Sequence, residues 1–461
     1  MEASSSRSRS VTAAVKRRRD AGAGSGSSSG SAAQSLNDDI LRSVFSRLDD
    51  HFDLARCSAV CSSWYRIIET AHLMRDLYYK RNPQARGSNA NISMKSYFEE
   101  LAMDEHASSF SRGPAEVYQW IGHPMRATLC RMKGGSILTG VGDKILRLWS
   151  AESCRFMNEY SVPNAKTLVD FDFDENKIVG LTSSQLCIWR RSEPRSIFQS
   201  GGASFNHGLC MSYADPEVVI GCEDGRAFVY DMYSRSCSRI YRLHSSPVTC
   251  LTITDDQLIV GGSTFGNVAI ADQTSGQKLG VLKSAFAPLG KCSDNFHPYA
   301  WCHGQLSFVA IRCLSFSTNS HLIFAGSSAG YAHCWDLRTL RPLWETRVSP
   351  NVIYSAHHLP GDTATLAVGG IDGVLRLICQ RTGDTIRSLV VDADRPAESS
   401  SRSRQQIEKK RVRQVAPDAR LDNIPRRLRP QITSVSAGMR KIVTTHGENF
   451  IRVWKFRPKS S

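Results

Sequence analysis

No run in this 461-residue chain approaches the ~18 apolar residues that a membrane-spanning helix needs. The opening MEASSSRSRS has no apolar stretch behind its charges, so no secretory leader is read there. Both absences point to the cell interior, nucleus and/or cytoplasm, where the fourteen cysteines stay reduced. Catalytic signatures are missing as well: no P-loop, nucleophile elbow or zinc-protease helix occurs. GAGSG (Gly22 to Gly26) lacks the preceding strand that a phosphate loop needs. Acidic charge is short, with 43 Asp and Glu against 58 Lys and Arg, a net charge of +15. That excess is local. Residues 1–35 carry six basic and two acidic groups (+4), and 393–430 carry eleven and five (+6). Together they hold +10 of the +15, so no basic face is expected on the folded part.

What is present divides into segments. Residues 1–34 are mostly Ser, Gly, Ala and Arg with almost nothing to bury, which predicts a disordered tail. Its KRRR (Lys16 to Arg19) suits either a nuclear import signal or a solvated basic run. From residue 114 onward, short apolar runs alternate with Gly, Asp and Ser turns. GDKILRLWS, SSQLCIWRR, DGRAFVYDM, FGNVAIADQ, SAGYAHCWDL, DGVLRLICQ and GENFIRVWKF repeat one pattern. Aligned on Trp149, Trp189, Tyr230, Ala271, Trp335, Ile378 and Trp454, they are spaced by 40, 41, 41, 64, 43 and 76 residues. Four steps match the ~40–45 residues of a four-stranded propeller blade. The two long ones read as one blade plus an insertion, near 285–305 and 393–430.

With Gly122-His123, Trp149 and the terminal Asp231, Asp272 and Asp336, this region resembles a WD-repeat β-propeller. Seven blades are expected over 114–458. The last repeat ends at its third strand, so AEVYQWI (Ala115 to Ile121) should supply its outer strand and close the ring. Cys130, Cys210, Cys250 and Cys313 lie 19 to 22 residues before the aligned positions, in each blade's first strand, and are read as core thiols.

Ahead of the propeller, Ile40, Leu41, Val44, Phe45 and Leu48 repeat at helical spacing. Asn37, Asp53 and Ser62 or Ser63 can cap three short helices. Leu36, Ile40, Leu41, Val44, Phe45, Leu48, Asp53-Leu54, Val60-Cys61 and Trp64 make residues 35–81 resemble an F-box, with Asn37 where that family usually has Pro. Residues 82–113 read as a linker in which Ser93 to Met103 is helical. The overall expectation is mainly β: a disordered tail, a small all-α F-box domain and a seven-bladed propeller.

This combination resembles the substrate receptors of Skp–cullin–F-box ubiquitin ligases. The resemblance implies that Leu36, Asn37, Ile40, Leu41, Leu54, Val60, Cys61 and Trp64 dock a Skp-type adaptor, and through it a cullin. The propeller would then hold a target protein and perform no chemistry. In phosphate-reading relatives, Arg residues line the mouth of the ring. Here the residue before the first-strand Cys, or its equivalent, is Leu129, Leu209, Thr249 and Arg312, and Lys144 holds the companion position in the first blade. Only Arg312 and Lys144 are basic, so a mixed polar and aromatic surface is at least as well supported. A scaffold role without a ligase is the alternative. No cofactor is expected. Asp170, Asp172 and Asp174 have calcium-loop spacing but lack its Gly and Glu. Cys292, His297, Cys302 and His303 fit no common zinc module, so no metal is assigned. The basic segments contain no interleaved aromatics, which leaves no specific nucleic-acid reading.

Overall fold

The computed structural model describes residues 37–87, 92–140, 142, 144–162, 167–193, 196–199, 205, 207–283, 300–302, 305–307, 309–392, 407–416, 419 and 421–458. Tail 1–34, Leu36, Cys292, His297 and His303 lie outside them, and only the backbone of Cys302 lies within. The chain forms two compact units, Met1–Glu99 and Glu100–Ser461.

The first unit contains α1 (Asp38–Phe45), α2 (His51–Ser58), α3 (Ser62–Thr70) and α4 (Leu73–Arg81). Its core is Leu41, Phe45, Leu54, Ile67, Ile68, Met74 and Leu77. The caps differ from the expected ones. Asn37 occupies the N-cap of α1 in extended backbone, but its side chain makes no capping bond. Asp50 rather than Asp53 caps α2, its carboxylate accepting from Phe52 N at 2.8 Å. Cys61 precedes α3 without a side-chain bond, and Ser62 is already helical. α5 (Met94–Arg112) starts where expected but runs nine residues past Met103, because no breaker occurs before Gly113-Pro114.

The second unit is built from four-stranded antiparallel sheets. Five span 129–161, 168–199, 208–242, 248–283 and 311–347. The sixth (353–391) and seventh (432–456) join through two further strands into one nine-stranded sheet. The aligned residues from Trp149 to Trp454 all lie buried on third strands. The seventh sheet takes its outer strand, Ala115–Ile121, from the other end of the chain, in unbroken register from Ala115↔Phe456 to Ile121↔Phe450. In the other six sheets a register shift falls at the aligned residue, where the chain turns from third to fourth strand. No turn is needed in the seventh sheet, and no shift occurs there. Each terminal Asp holds that turn: Asp231, Asp272 and Asp336 accept the backbone N–H two residues on at 2.9, 2.8 and 2.9 Å.

First strands lie side by side in sheet order, and the seventh returns to the first. This is the arrangement of a β-propeller. Polar ties link every neighbouring pair. Arg131 meets Asp170 at 3.1 Å and Lys133 meets Asp172 at 2.6 Å; Met211 N donates to Asp170 at 3.0 Å. Ile253 N donates to Ser212 Oγ at 3.3 Å, Thr249 Oγ1 to Ile311 O at 2.5 Å, and Ser315 meets His358 at 2.8 Å. Val435 N donates to Ser355 Oγ at 3.0 Å, and Met132 N to Ser436 Oγ at 2.9 Å. The aspartates with calcium-loop spacing therefore serve as ring ties.

The basic insertion contains a strand that its sequence did not announce. Glu408–Gln414 runs antiparallel between two outer strands. Its first half pairs with Ala115–Ile121, from Glu116↔Arg411 to Gln119↔Glu408. Its second half pairs with Thr385–Val391, from Leu389↔Gln414 to Val391↔Val412.

The cysteines sit where the ring is tightest. Gly221, Gly262 and Gly326 face Cys210, Cys250 and Cys313 across the first two strands. A Cβ at Gly262 would meet Cys250 Sγ at 2.7 Å and Ile311 Cγ2 of the next sheet at 2.7 Å. Burial lifts the Cys130 thiol to about 11 and that of Cys250 to about 12, so both stay protonated and unreactive at neutral pH. Gly262→Ala is expected to overpack this contact and cost about 1–3 kcal/mol in denaturant unfolding. A change within about 0.5 kcal/mol would contradict the crowding.

Candidate functional site

Two surfaces qualify, one on each unit. On the helical unit, the residues read as a single face of α1 divide in two. Leu41 and Phe45 are buried, while Ile40 and Val44 are 50% and 51% exposed. The two members of each pair lie one turn apart along α1, so the helix has an inner stripe and an outer one. Val60 (63%) and Tyr65 (43%) add exposed apolar area at the start of α3, which packs against α1, and Cys61 beside them is exposed. Trp64 is half-buried, its ring edge-on to Phe45 at 5.0 Å. Leu54 is buried and Asn37 exposed. Of the residues expected to dock a partner, Asn37, Ile40, Val60 and Cys61 are thus on the surface, while Leu41 and Leu54 support it from within. Sequence reasoning passed over Tyr65; its position three residues before the buried Ile68 gave no signal.

On the second unit, the first strands share a device that the repeat spacing did not reveal. In six sheets the register skips one residue near the start of the strand: Val169, Leu209, Thr249, Arg312, Tyr354 and Thr433. Each skipped residue is half-buried or exposed between two buried neighbours, except that Ser355 after Tyr354 is itself half-buried. A bulge aims a side chain out of the ladder, so these residues form a rim at the strand starts, with Leu129 in the unbulged first sheet. Arg312 is exposed and is the rim's single cation; the rest are aliphatic, hydroxyl or aromatic. Several arginine forks for a phosphate are therefore not assembled at these positions.

Lys144 sits in the turn before the third strand, exposed, with φ of 63°. The equivalent residues in four other sheets, Gly225, Gly266, Gly330 and Gly373, all have positive φ. The turn demands left-handed backbone, and only the first sheet meets it with a side chain. Met125, Phe265 and Ile371 are exposed in loops at this same end.

The motif residues Gly122-His123 and Trp149 prove structural. Thr139 Oγ1 lies 2.9 Å from His123 Nε2 and accepts from Trp149 Nε1 at 2.9 Å. Thr444 does the same for Trp454 at 3.0 Å and meets His446 at 3.0 Å. Neither threonine could be singled out from spacing, because Ser136–Gly140 and Lys441–His446 contain no Trp, Tyr or Phe to mark the position.

Comparison with known proteins agrees with both halves. Residues 35–80 match the F-box-like family, and residues 300–336 match the WD domain, G-beta repeat family. Over 455 residues the chain is 41% identical to an F-box/WD-40 repeat-containing protein of Arabidopsis thaliana, covering 92% of this chain and 95% of that protein. A 63-residue stretch is 33% identical to retinoblastoma-binding protein homolog 5 of Caenorhabditis elegans, 13% of this chain and 14% of that protein. Among solved structures, the computationally designed Ika8 protein shares the fold at 17% identity and a TM-score of 0.51, covering 73% of this chain and 98% of that one.

Lys144→Gly is expected to stabilise the protein by about 0.5 kcal/mol, since the ~1–2 kcal/mol left-handed penalty exceeds the ~0.4–1 kcal/mol entropic cost of glycine. A lower denaturant midpoint would show that the lysine contributes a contact of its own.

Proposed function

The chain belongs to the F-box/WD-40 repeat-containing proteins, and from that membership we propose that it is the substrate-recognition subunit of a Skp–cullin–F-box ubiquitin ligase. The helical unit docks a Skp-type adaptor, which carries the cullin, and the propeller holds a target protein. The observation that carries this reading is the outer stripe of the helical unit. Ile40, Val44, Val60 and Tyr65 stay in water although the unit has an inner core of its own. An exposed apolar patch on so small a unit marks an interface.

The division of labour follows from burial. Leu41, Phe45, Leu54 and half-buried Trp64 keep the helices packed; Ile40, Val44, Val60 and Cys61 meet the adaptor, with Asn37 at its edge. On the propeller, the rim of Leu129, Val169, Leu209, Thr249, Arg312, Tyr354 and Thr433 offers the target a mixed surface. Lys144 and the exposed loop apolars extend it. The receptor acts as a tether, raising the target's concentration near the conjugating enzyme. Its own groups perform no step of the transfer.

An Ile40→Asp/Val44→Asp variant is expected to lose a purified Skp-type adaptor by tenfold or more in a pull-down. Its circular dichroism should be unchanged, because both side chains point outward. Wild-type protein that captures no adaptor at micromolar concentration would favour the scaffold alternative. Loss of helicity in the variant would mean that these side chains serve the core.

A further inference from the structure

The described part of the basic insertion, 407–430, is folded, and four of its arginines form no ion pair among the described residues. Along Glu408–Gln414, Val412 packs into the core while Lys409, Arg411 and Arg413 alternate onto the opposite, exposed face. On that face Arg413 stands opposite Val390. Val390 packs with Val374, Val415 and Ile424, flanked by Leu421 and Leu428. The chain after the strand therefore folds back over the end of the sixth sheet instead of looping into solvent.

Its attachment is specific. Arg429 donates from Nε to Ile424 O at 2.9 Å and from Nη1 to Asp372 O at 3.1 Å. The Asp372 carboxylate pairs with Arg376 at 2.6 Å, and both are buried. A Cβ at Gly373 would lie 2.0 Å from Arg429 O, so the crossing needs glycine there. Gly373 occupies the turn that carries Lys144 in the first sheet. The insertion is thus fixed at the end of the ring that bears the rim, beside exposed Ile371 and half-buried Tyr354.

Arg411, Arg413, Arg426 and Arg427 are exposed on this platform. Among the described residues none of the four pairs with a carboxylate, whereas Lys409 and Lys410 pair with Glu116 and Glu408 at 3.0 and 3.3 Å. The four guanidinium groups stand on a pre-ordered support, where a carboxylate can accept from their forks without first ordering the chain. Segment 393–430 contains no Phe, Tyr or Trp, so nucleic-acid bases find nothing there to stack on. A carboxylate-bearing chain suits the guanidinium forks, and the neighbouring apolar rim suits its other side chains.

We propose that the folded insertion is a docking platform for an acidic, Asp- and Glu-rich segment of the target protein. This rests on the reading that the rim end of the propeller receives the target.

The test uses the full chain and fluorescence anisotropy with two labelled probes of equal length, a 15-residue glutamate-rich peptide and a single-stranded DNA. The charge-reversed variant is Arg411→Glu/Arg413→Glu/Arg426→Glu/Arg427→Glu; a fourfold Gln variant replaces it should it fail to fold. The control, Arg155→Glu/Arg242→Glu/Lys283→Glu/Arg341→Glu, changes net charge equally at exposed sites on other sheets. The proposal expects the peptide to bind wild type in a salt-sensitive manner, about tenfold or more weaker to the platform variant and less than about threefold weaker to the control. Equal losses in both variants, no peptide binding, or tighter binding of the DNA would each overturn it. Adaptor capture, measured on the same preparations, reports separately on the ligase reading.

Discussion

The seven-pair ladder between Ala115–Ile121 and Phe450–Phe456 is the constraint on which the second unit depends. Each other sheet is continuous in sequence and is ordered by its own hairpins. The seventh is completed only when residues more than three hundred positions apart meet. Until they do, the first and last sheets expose unpaired edges and half of their apolar faces. Trp454 and Phe456 illustrate the coupling: both pack in a core that includes Val117 from the incoming strand and Leu377 and Leu389 from the sixth sheet. Such a long-range closure is slow to find and stabilises strongly once made.

Around the axis a second constraint operates. The first strands converge, so their side chains must be small or must satisfy one another. Cysteine against glycine meets the first demand, with a β-branched residue of the next sheet filling the remaining space: Val248 beyond Gly221, Ile311 beyond Gly262, Ile353 beyond Gly326. Serine, threonine and aspartate meet the second by accepting or donating across to the neighbouring strand. Asp170 shows the balance involved. Burial raises its pKa above the usual carboxylate value, while Arg131 and the N–H groups of Met211 and Phe171 act in the opposite sense. The bulges turn the rim residues out of the ladder, although Thr249 still donates across to Ile311 O.

Much of this was legible because repetition is visible in sequence. Spacing located the third strands, and the truncated last repeat pointed to Ala115–Ile121 as its missing strand. Cysteine placement indicated the axis. The strand Glu408–Gln414 was not legible, because EKKRVRQ offers one inward apolar residue, Val412, and reads as solvated charge. Two open edges, rather than its own pattern, recruit it. The caps misled for a related reason: Asp50 and Asp53 are equally good capping residues, and only the packed position of His51 and Leu54 decides where α2 begins. For α1, periodicity merged two stripes into one, since a helix that buries one face and keeps another for a partner is apolar on both.

The two units thus offer surfaces of different character, an apolar stripe on short helices and a mixed rim on a closed ring. The rim residues keep their places only while the ring stays closed. Native-state hydrogen exchange of the full-length protein tests that closure most directly. The account predicts that Val117 and Tyr118 amides exchange as slowly as those of Val443 and Val453, in the second and third strands of the same sheet. Exchange of residues 115–121 at rates near those of exposed loops, with 432–456 still protected, would contradict it.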